Sequence, residues 1–445
     1  MKDSQDPDFG ATGQFELTGV YHSDHRLDAT FASTLGLDQI KSLVLLGAGP
    51  VHVQVLHELA RQRRADLDVT LVTPNLRQVP AALLPGVVAG LHNARDCHTD
   101  LTPLLQSAGV RWMAAQAAGL DAGTSSVLLD NVPLDHVPQS VEPTAERATQ
   151  QAVARPSLVG YHLLSVDTSP LDGCADPTQQ LKGAAQHGLC TSATAQFAQR
   201  WPLAAARLCQ LAAQRQGVPV RLVVVGQGVH AFEMACALHQ WASAQRLRAE
   251  LALVTHGADV VSGQTPSVRR RALGVLKRLG IEVVPTRALH IVPDGVALDA
   301  AHPLLPSDLT LVALESAPPV WLAASGLRLD TSGYMATNDR WQSVSHPQVL
   351  ATSGSHSSGA TSGTAACEAA EQSGAALALN LRALASEQPL APPPQGHRPL
   401  GFVDCGYGQA IAYWGPWSAE GRWAWRWKHK AATTYLSRQR PRTLP

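Results

Sequence analysis

The sequence predicts an α/β protein built on two parallel sheets, each laid down by its own strand–turn–helix–strand unit. Three observations predict this. The apolar run Ser42-Leu-Val-Leu-Leu-Gly47 ends in glycine and leads through a segment of helical period to a second apolar run, Val69–Thr73. The same grammar returns at Arg221–Gly226, from Val229 to Ala244, and at Glu250–Thr255. The chain has 445 residues, 45% of them hydrophobic, which is more than one ordinary domain needs and enough for separate cores.

Taken in order, residues 1–38 are polar and read as a lead-in. The first helix is expected from Val51 to about Arg63, because Val51, Val55, Leu56 and Leu59 fall on one face. Strand, turn, helix and strand within one short stretch make a βαβ unit, which implies parallel strands covered on both sides. Residues 137–157 are polar and contain proline, as a surface excursion would. Ser353–Gly363 is rich in glycine and serine and reads as a flexible loop before a helix from Ala365 to Ala385. Prolines at 392–394 mark a boundary, after which the chain carries Trp414, Trp417, Trp423, Trp425 and Trp427. The expected divisions are 1–38, 39–215, 216–320, 321–392 and a tryptophan-rich cap over 393–445.

Composition excludes some functions. Lys plus Arg and Asp plus Glu number 35 each, so no global field draws the chain to nucleic acid. No basic leader precedes an apolar run, and no apolar stretch is long enough to cross a bilayer. Seven scattered cysteines with no CxxC pair read as reduced thiols, so a cytoplasmic location is expected and no metal site. Cys97, between Asp96 and Asp100, is expected to be structural rather than a reactive thiolate.

The turns carry the chemistry. Gly47-Ala48-Gly49-Pro50-Val51-His52 has the first two glycines of a GxGxxG loop and histidine at the third place. In such a loop the first glycine makes the turn and the second admits a pyrophosphate to the backbone. The third allows close helix–strand packing, while the helix N-terminus supplies donors. Gly226-Gln227-Gly228-Val229-His230-Ala231 is the second such turn, followed by Glu233; His230 is expected at the surface. Neither second strand ends in the acidic residue that grips a ribose: the first reads Val72-Thr73-Pro74-Asn75, the second Val254-Thr255-His256-Gly257.

Further pieces carry a family resemblance. They are Leu84-Pro85-Gly86 with Ala89-Gly90, Cys97 to Leu101, Leu163 to Thr168, Trp321 to Leu327, Asn338 to Pro347, and Ala410 to Pro416 with Glu420 to Trp423. In this order they resemble pyridine nucleotide-disulfide oxidoreductases related to type II NADH dehydrogenases, in the branch associated with selenide, water dikinase. The resemblance implies two Rossmann-like FAD/NAD(P)-binding domains, the second inserted in the first, plus the C-terminal cap. It also implies hydride transfer from NAD(P)H to FAD and on to a quinone or small-molecule acceptor. On this reading Gly47, Gly49, Pro50, His52, Thr73 and Pro85 serve FAD, with His52 facing the pyrophosphate. Gly226, Gly228 and Glu233 serve the nicotinamide nucleotide.

The resemblance has gaps. Where the family carries an aspartate for the ribityl chain, this chain offers Gly354 or, with one inserted residue, Ser355. Ala313-Leu314-Glu315-Ser316 replaces an Ala-Thr-Gly turn. The alternative is therefore a degenerate homologue acting as a binding or regulatory protein in selenium metabolism. The tryptophan segment, interleaved with Arg422, Arg426, Lys428 and Lys430, suits a peripheral membrane contact. Its other reading, the one favoured here, is a lid packed on the flavin domain or a dimer surface.

Overall fold

The computed structural model describes residues 40–93, 97–131, 157–167, 181–192, 194–215, 217–299, 304–314, 318–352, 364–392 and 400–439. The expected lead-in, most of the 137–157 excursion, the 353–363 loop and the residues Gly354, Ser355, Glu315 and Ser316 lie outside them.

The chain opens with β1 (Lys41–Leu46), α1 (Pro50–Arg61) and β2 (Leu67–Val72), within one or two residues of expectation. Then come α2 (Leu84–Val88), α3 (Thr102–Ala108) and β3 (Arg111–Met113). An antiparallel meander follows, β4 (Ala115–Asp121), β5 (Ser126–Asn131) and β6 (Ser157–Gly160), before β7 (Leu163–Asp167).

The second unit starts at β8 (Gly188–Cys190) and continues through α4 (Thr194–Gln214), β9 (Val220–Gly226), α5 (Gly228–Ala244) and β10 (Ala249–Val254). It goes on with α6 (Pro266–Leu279) and β11 (Glu282–Val284). A second antiparallel meander, β12 (Ala288–Val292), β13 (Gly295–Leu298) and β14 (Leu304–Pro306), leads to β15 (Leu309–Ala313). The chain then returns to the first unit with β16 (Val349–Thr352) and α7 (Thr364–Ala385). It closes with the hairpins of β17 (Gly401–Asp404), β18 (Ala410–Trp414) and β19 (Trp417–Gly421), and with α8 (Arg422–Gln439).

Two five-stranded parallel sheets result. The first has the order β16-β7-β1-β2-β3 and the second β8-β15-β9-β10-β11. Because β16 completes the first sheet after the whole second sheet has been laid down, the second domain is inserted in the first. The fold is therefore the α/β class expected. The second sheet begins with β8, ahead of the boundary expected at residue 216: the polar turn before Val220 is a feature inside the domain, and β8 was too short to show a period.

Alternation along each central strand sends side chains to opposite faces. Leu43 and Leu45 pack with Val55, Leu56 and Leu59 of α1 and Leu377 and Leu381 of α7. Val44 and Leu46 instead join the meander residues Val127 and Leu129. The second sheet repeats the device: Leu222 and Val224 meet Phe232 and Leu276, while Val223 and Val225 meet Ile291 and Val296. Each sheet thus has helices on one face and a meander on the other.

Candidate functional site

In both sheets the strand order reverses beside the first strand of the βαβ unit, between β1 and β7 and between β9 and β15. Chains of this topology open a crevice at the carboxyl ends of those strands. Both glycine turns sit there.

At the first turn Gly47 has φ 95°, a conformation that glycine adopts without strain, and its N–H donates to the Val72 carbonyl at 2.9 Å. Gly49 is the N-cap of α1, Pro50 occupies the first turn, and no side chain caps the helix. The first N–H groups of α1 are therefore left for an anion. His52 departs from expectation. It is fully buried, its Nδ1 lies 2.7 Å from the Gly47 carbonyl and its Nε2 2.9 Å from Ser165 Oγ. A carbonyl only accepts, so Nδ1 carries the proton and Nε2 accepts from the serine. Burial lowers the pKa below 6.5, against the opposing pull of Asp167 and the Gly47 carbonyl. A neutral histidine spent on the turn's underside cannot face a pyrophosphate; it braces the turn against β7.

Sequence reasoning passed over Asp167. It ends β7, is fully buried, and its carboxyl packs on the α-carbon of Gly49: a Cβ there would lie 2.1 Å from Oδ2. Only glycine at position 49 leaves room for it. Thr73 and Pro85 are both buried, Thr73 just beyond the end of β2 and Pro85 in α2. Thr73 donates its N–H to the Met113 carbonyl at 3.2 Å, and its own carbonyl accepts from Trp112 Nε1 at 2.9 Å. Asn75 Oδ1 accepts from the Arg77 N–H at 2.8 Å, which closes a local turn. Cys97 is buried among Leu84, Val87 and Val88, as a structural thiol would be.

The second turn is more open. Gly226 abuts β15 so closely that a Cβ would lie 2.1 Å from the Ala313 carbonyl oxygen. Gly228 has φ 80°, Gln227 caps α5 through its backbone, and again no side chain occupies the helix start. Above this turn lies a cavity of about 590 Å³, lined by Gly226, Gln227, Thr255, His256, Arg287 and Leu314 among others. That volume is ordinary for a small-molecule site.

Glu233 does not serve this cavity. It is 2% exposed, and its Oε1 accepts from Lys428 Nζ at 2.6 Å and from the Asp404 N–H at 2.7 Å. Lys428 also lies 3.5 Å from Asp404 Oδ2. Burial raises the Glu233 pKa, and Lys428 offsets part of the rise. Burial lowers that of Lys428, but the two carboxylates more than reverse this and the net shift is upward. The expected nucleotide residue is thus a buried tie between α5 and the cap. His230 is half-buried rather than on the surface; its Nε2 lies 2.9 Å from Thr191 Oγ1, and burial, with Lys428 adding, lowers its pKa to about 4.

The cap rests mainly on the second domain. Ser267 Oγ donates to the Pro416 carbonyl at 2.8 Å, Arg271 reaches Ser418 at 3.0 Å, and Arg278 pairs with Glu420. Tyr407 Oη donates to Ser243 Oγ at 2.8 Å. The expectation that the tryptophans pack on the flavin domain therefore needs correction. Trp414, Trp417, Trp423 and Trp427 are exposed, and Trp425 stacks on His429 at 5.1 Å. Ala424 and Lys428 are buried residues of α8, and Trp425 and Ala432 pack beside them, partly buried. Among the described residues no helix is long and apolar enough to cross a membrane.

Known proteins place this architecture. Residues 173–373 match the family model for pyridine nucleotide-disulphide oxidoreductase. No curated protein matches the sequence. Among solved structures, the sulfide:quinone oxidoreductase of Aquifex aeolicus is similar over 90% of this chain and 91% of its own, at 16% identity and a TM-score of 0.64. NDH2 of Plasmodium falciparum in complex with NADH covers 90% and 97%, at 10% identity and a TM-score of 0.67. The water-forming NADH oxidase of Lactobacillus brevis bound to NADH covers 84% and 74%, at 14% identity and a TM-score of 0.59. At these identities the structures share the fold.

Proposed function

We propose that this chain, a member of the pyridine nucleotide-disulphide oxidoreductase family, is an NAD(P)H-dependent oxidoreductase that works through FAD. The observation that carries the reading is the cavity of about 590 Å³ over the second glycine turn, at the carboxyl ends of a parallel sheet's central strands. A pyrophosphate there would take the free N–H groups at the start of α5, and Gln227 and Thr255 would border the rest of the nucleotide.

The first turn fits an FAD pyrophosphate in its backbone: positive φ at Gly47, extended Gly49, Pro50 in the first helical turn and an uncapped α1. Gly47, Gly49 and Pro50 would hold the group, and Thr73 and Pro85 would shape the wall around it. His52 holds the turn's carbonyl and keeps its proton on Nδ1. When bound, the flavin supplies the hydride-accepting chemistry, and the protein supplies position and field. The two relatives bound to NADH and the relative named for sulfide and quinone support this reading, with a quinone or small molecule as acceptor.

One observation favours a second reading, a degenerate homologue that binds partners instead. The Asp167 carboxyl lies against Gly49, where a pyrophosphate would approach, and would repel it. Flavin released from the purified protein and quantified separates the two. Close to one FAD per chain supports the reductase; a folded, colourless protein that takes up no added FAD refutes it.

The outward tryptophans support a peripheral lipid contact. Aromatic rings with cations on the same helix suit the interface of an anionic bilayer. Sedimentation with anionic vesicles tests it, and a concentration-dependent dimer with no vesicle binding would assign the face to a second copy instead.

A further inference from the structure

Resting on the reading that the second turn holds a nicotinamide nucleotide, we propose that this site selects the 2′-phosphorylated form, NADPH, and that Arg287 with His256 makes the selection. The ribose of a nucleotide on such a turn lies at the end of the following strand, here β10. There, a carboxylate accepts the ribose hydroxyls of the unphosphorylated cofactor, whereas an arginine nearby accommodates a 2′-phosphate.

β10 ends in Val254-Thr255-His256. The described residues lining the cavity include no aspartate or glutamate at all. They include one arginine and one histidine, His256 just beyond β10 and Arg287 in the connection after the neighbouring β11. Both are exposed at the cavity wall, and Arg287 has no ion-pair partner among the described residues, so its guanidinium is available to a ligand. A planar fork of donors matches two phosphate oxygens at once.

The backbones that present the two side chains are held. The Thr255 N–H donates to the Val284 carbonyl at 3.0 Å, which joins the end of β10 to that of β11. Thr255 Oγ1 donates to the Gly257 carbonyl at 2.6 Å, and Gly257 has φ 95°, so the chain turns sharply just beyond His256. The Arg287 carbonyl accepts from the Asp299 N–H at 2.9 Å. The cation and the imidazole therefore project from fixed positions into one cavity, the arrangement a dianionic ligand group requires.

The test compares 2′,5′-ADP with 5′-AMP by titration calorimetry on the full chain, because the two ligands differ only in the 2′-phosphate. The wild type should bind 2′,5′-ADP at least tenfold more tightly. Arg287→Ala should abolish that preference while leaving 5′-AMP affinity within twofold, and Arg287→Lys should restore part of it. His256→Ala should reduce the preference by a smaller factor. Arg287 is exposed, and unchanged circular dichroism of the variants separates lost recognition from lost folding. Equal affinity for the two ligands, or a preference unaltered in Arg287→Ala, overturns the selection while the nucleotide site stands. Binding of neither ligand overturns the nucleotide reading itself.

Discussion

Replacing Lys428 with methionine removes the only cation within 4 Å of the Glu233 carboxylate among the described residues, while keeping most of the side-chain volume. Glu233 and Lys428 are 2% and 7% exposed at the side chain, so water cannot take the lysine's place without opening the structure. The N–H of Asp404 still donates at 2.7 Å, but one neutral donor does not compensate a buried charge. Breaking one side of a buried pair typically destabilises by about 3–5 kcal/mol. At about 1.36 kcal/mol per decade, opening of the cap should become roughly two to nearly four orders of magnitude more frequent. Native-state hydrogen exchange reads this directly: amides of α8 and β17 should lose protection, while those of β1 and β7 should keep theirs. The double variant Glu233→Leu/Lys428→Met should recover most of the loss, because the one carboxylate it leaves, Asp404, is 20% exposed and can be hydrated. The wild-type lysine also has a pH signature. Its pKa is raised in the fold, so its contribution is present below about 10.5 and is lost as pH climbs through the higher folded value. A Lys428→Met protein whose α8 exchange changes by less than fivefold would show instead that the pair is hydrated.

Other perturbations follow from the same geometry. His230 has its pKa lowered from 6.5 to about 4, so the folded state loses stability as pH falls through that window. A full shift of that size corresponds to about 3 kcal/mol, less for a ring with some solvent access; His230→Gln should flatten the urea midpoint between those pH values, and an unchanged slope would contradict it. Gly49→Ala places a methyl on the Asp167 carboxyl and should cost about 1–3 kcal/mol, with the loss recovered in Gly49→Ala/Asp167→Ala; a single variant as stable as wild type in thermal unfolding would show that the carboxyl moves freely. Gly226→Ala drives a methyl into the Ala313 carbonyl, backbone that cannot swing away, and should abolish adenine-nucleotide binding by calorimetry. Trp423 and Trp427 meet edge to face at 5.9 Å on the exposed face of α8, so replacing both with alanine should leave thermal stability unchanged and reduce sedimentation with anionic vesicles; equal sedimentation would remove the tryptophans from the contact.

The elements that position the two turns were legible because each central strand is a short apolar run ending in a glycine turn; α1 adds a 3.6-residue apolar period, whereas α5 is buried almost all round. The parallel pairing followed from the crossover, which no antiparallel hairpin could replace. Burial of His52 was legible too: His52, Val55, Leu56 and Leu59 share one helix face, and that periodicity outweighs the analogy with the third glycine. Glu233 could not be read in this way. Its position suits a nucleotide contact as well as a tie, and the decision comes from Asp404 and Lys428, 171 and 195 residues further along the chain. Asp167 falls within the Leu163–Thr168 segment of the resemblance with no role attached, and only the sheet order sets it beside Gly49. Arg287 lies in a connection of no recognisable motif, and it matters because β11 pairs beside β10. The tryptophans were legible as a cluster, but their direction was not: helix α8 turns Ala424, Lys428 and part of Trp425 inward and leaves the rings of Trp423 and Trp427 outside.

Electron transfer from a nicotinamide nucleotide to bound FAD can be followed in one anaerobic titration. The purified protein, incubated with excess FAD and desalted, is followed in the visible spectrum while NADPH is added. A flavin band at roughly 450 nm, with about one FAD per chain, is expected, bleached by about one equivalent of NADPH. A protein that keeps no flavin, or whose flavin stays oxidised in the presence of both NADPH and NADH, would contradict that transfer.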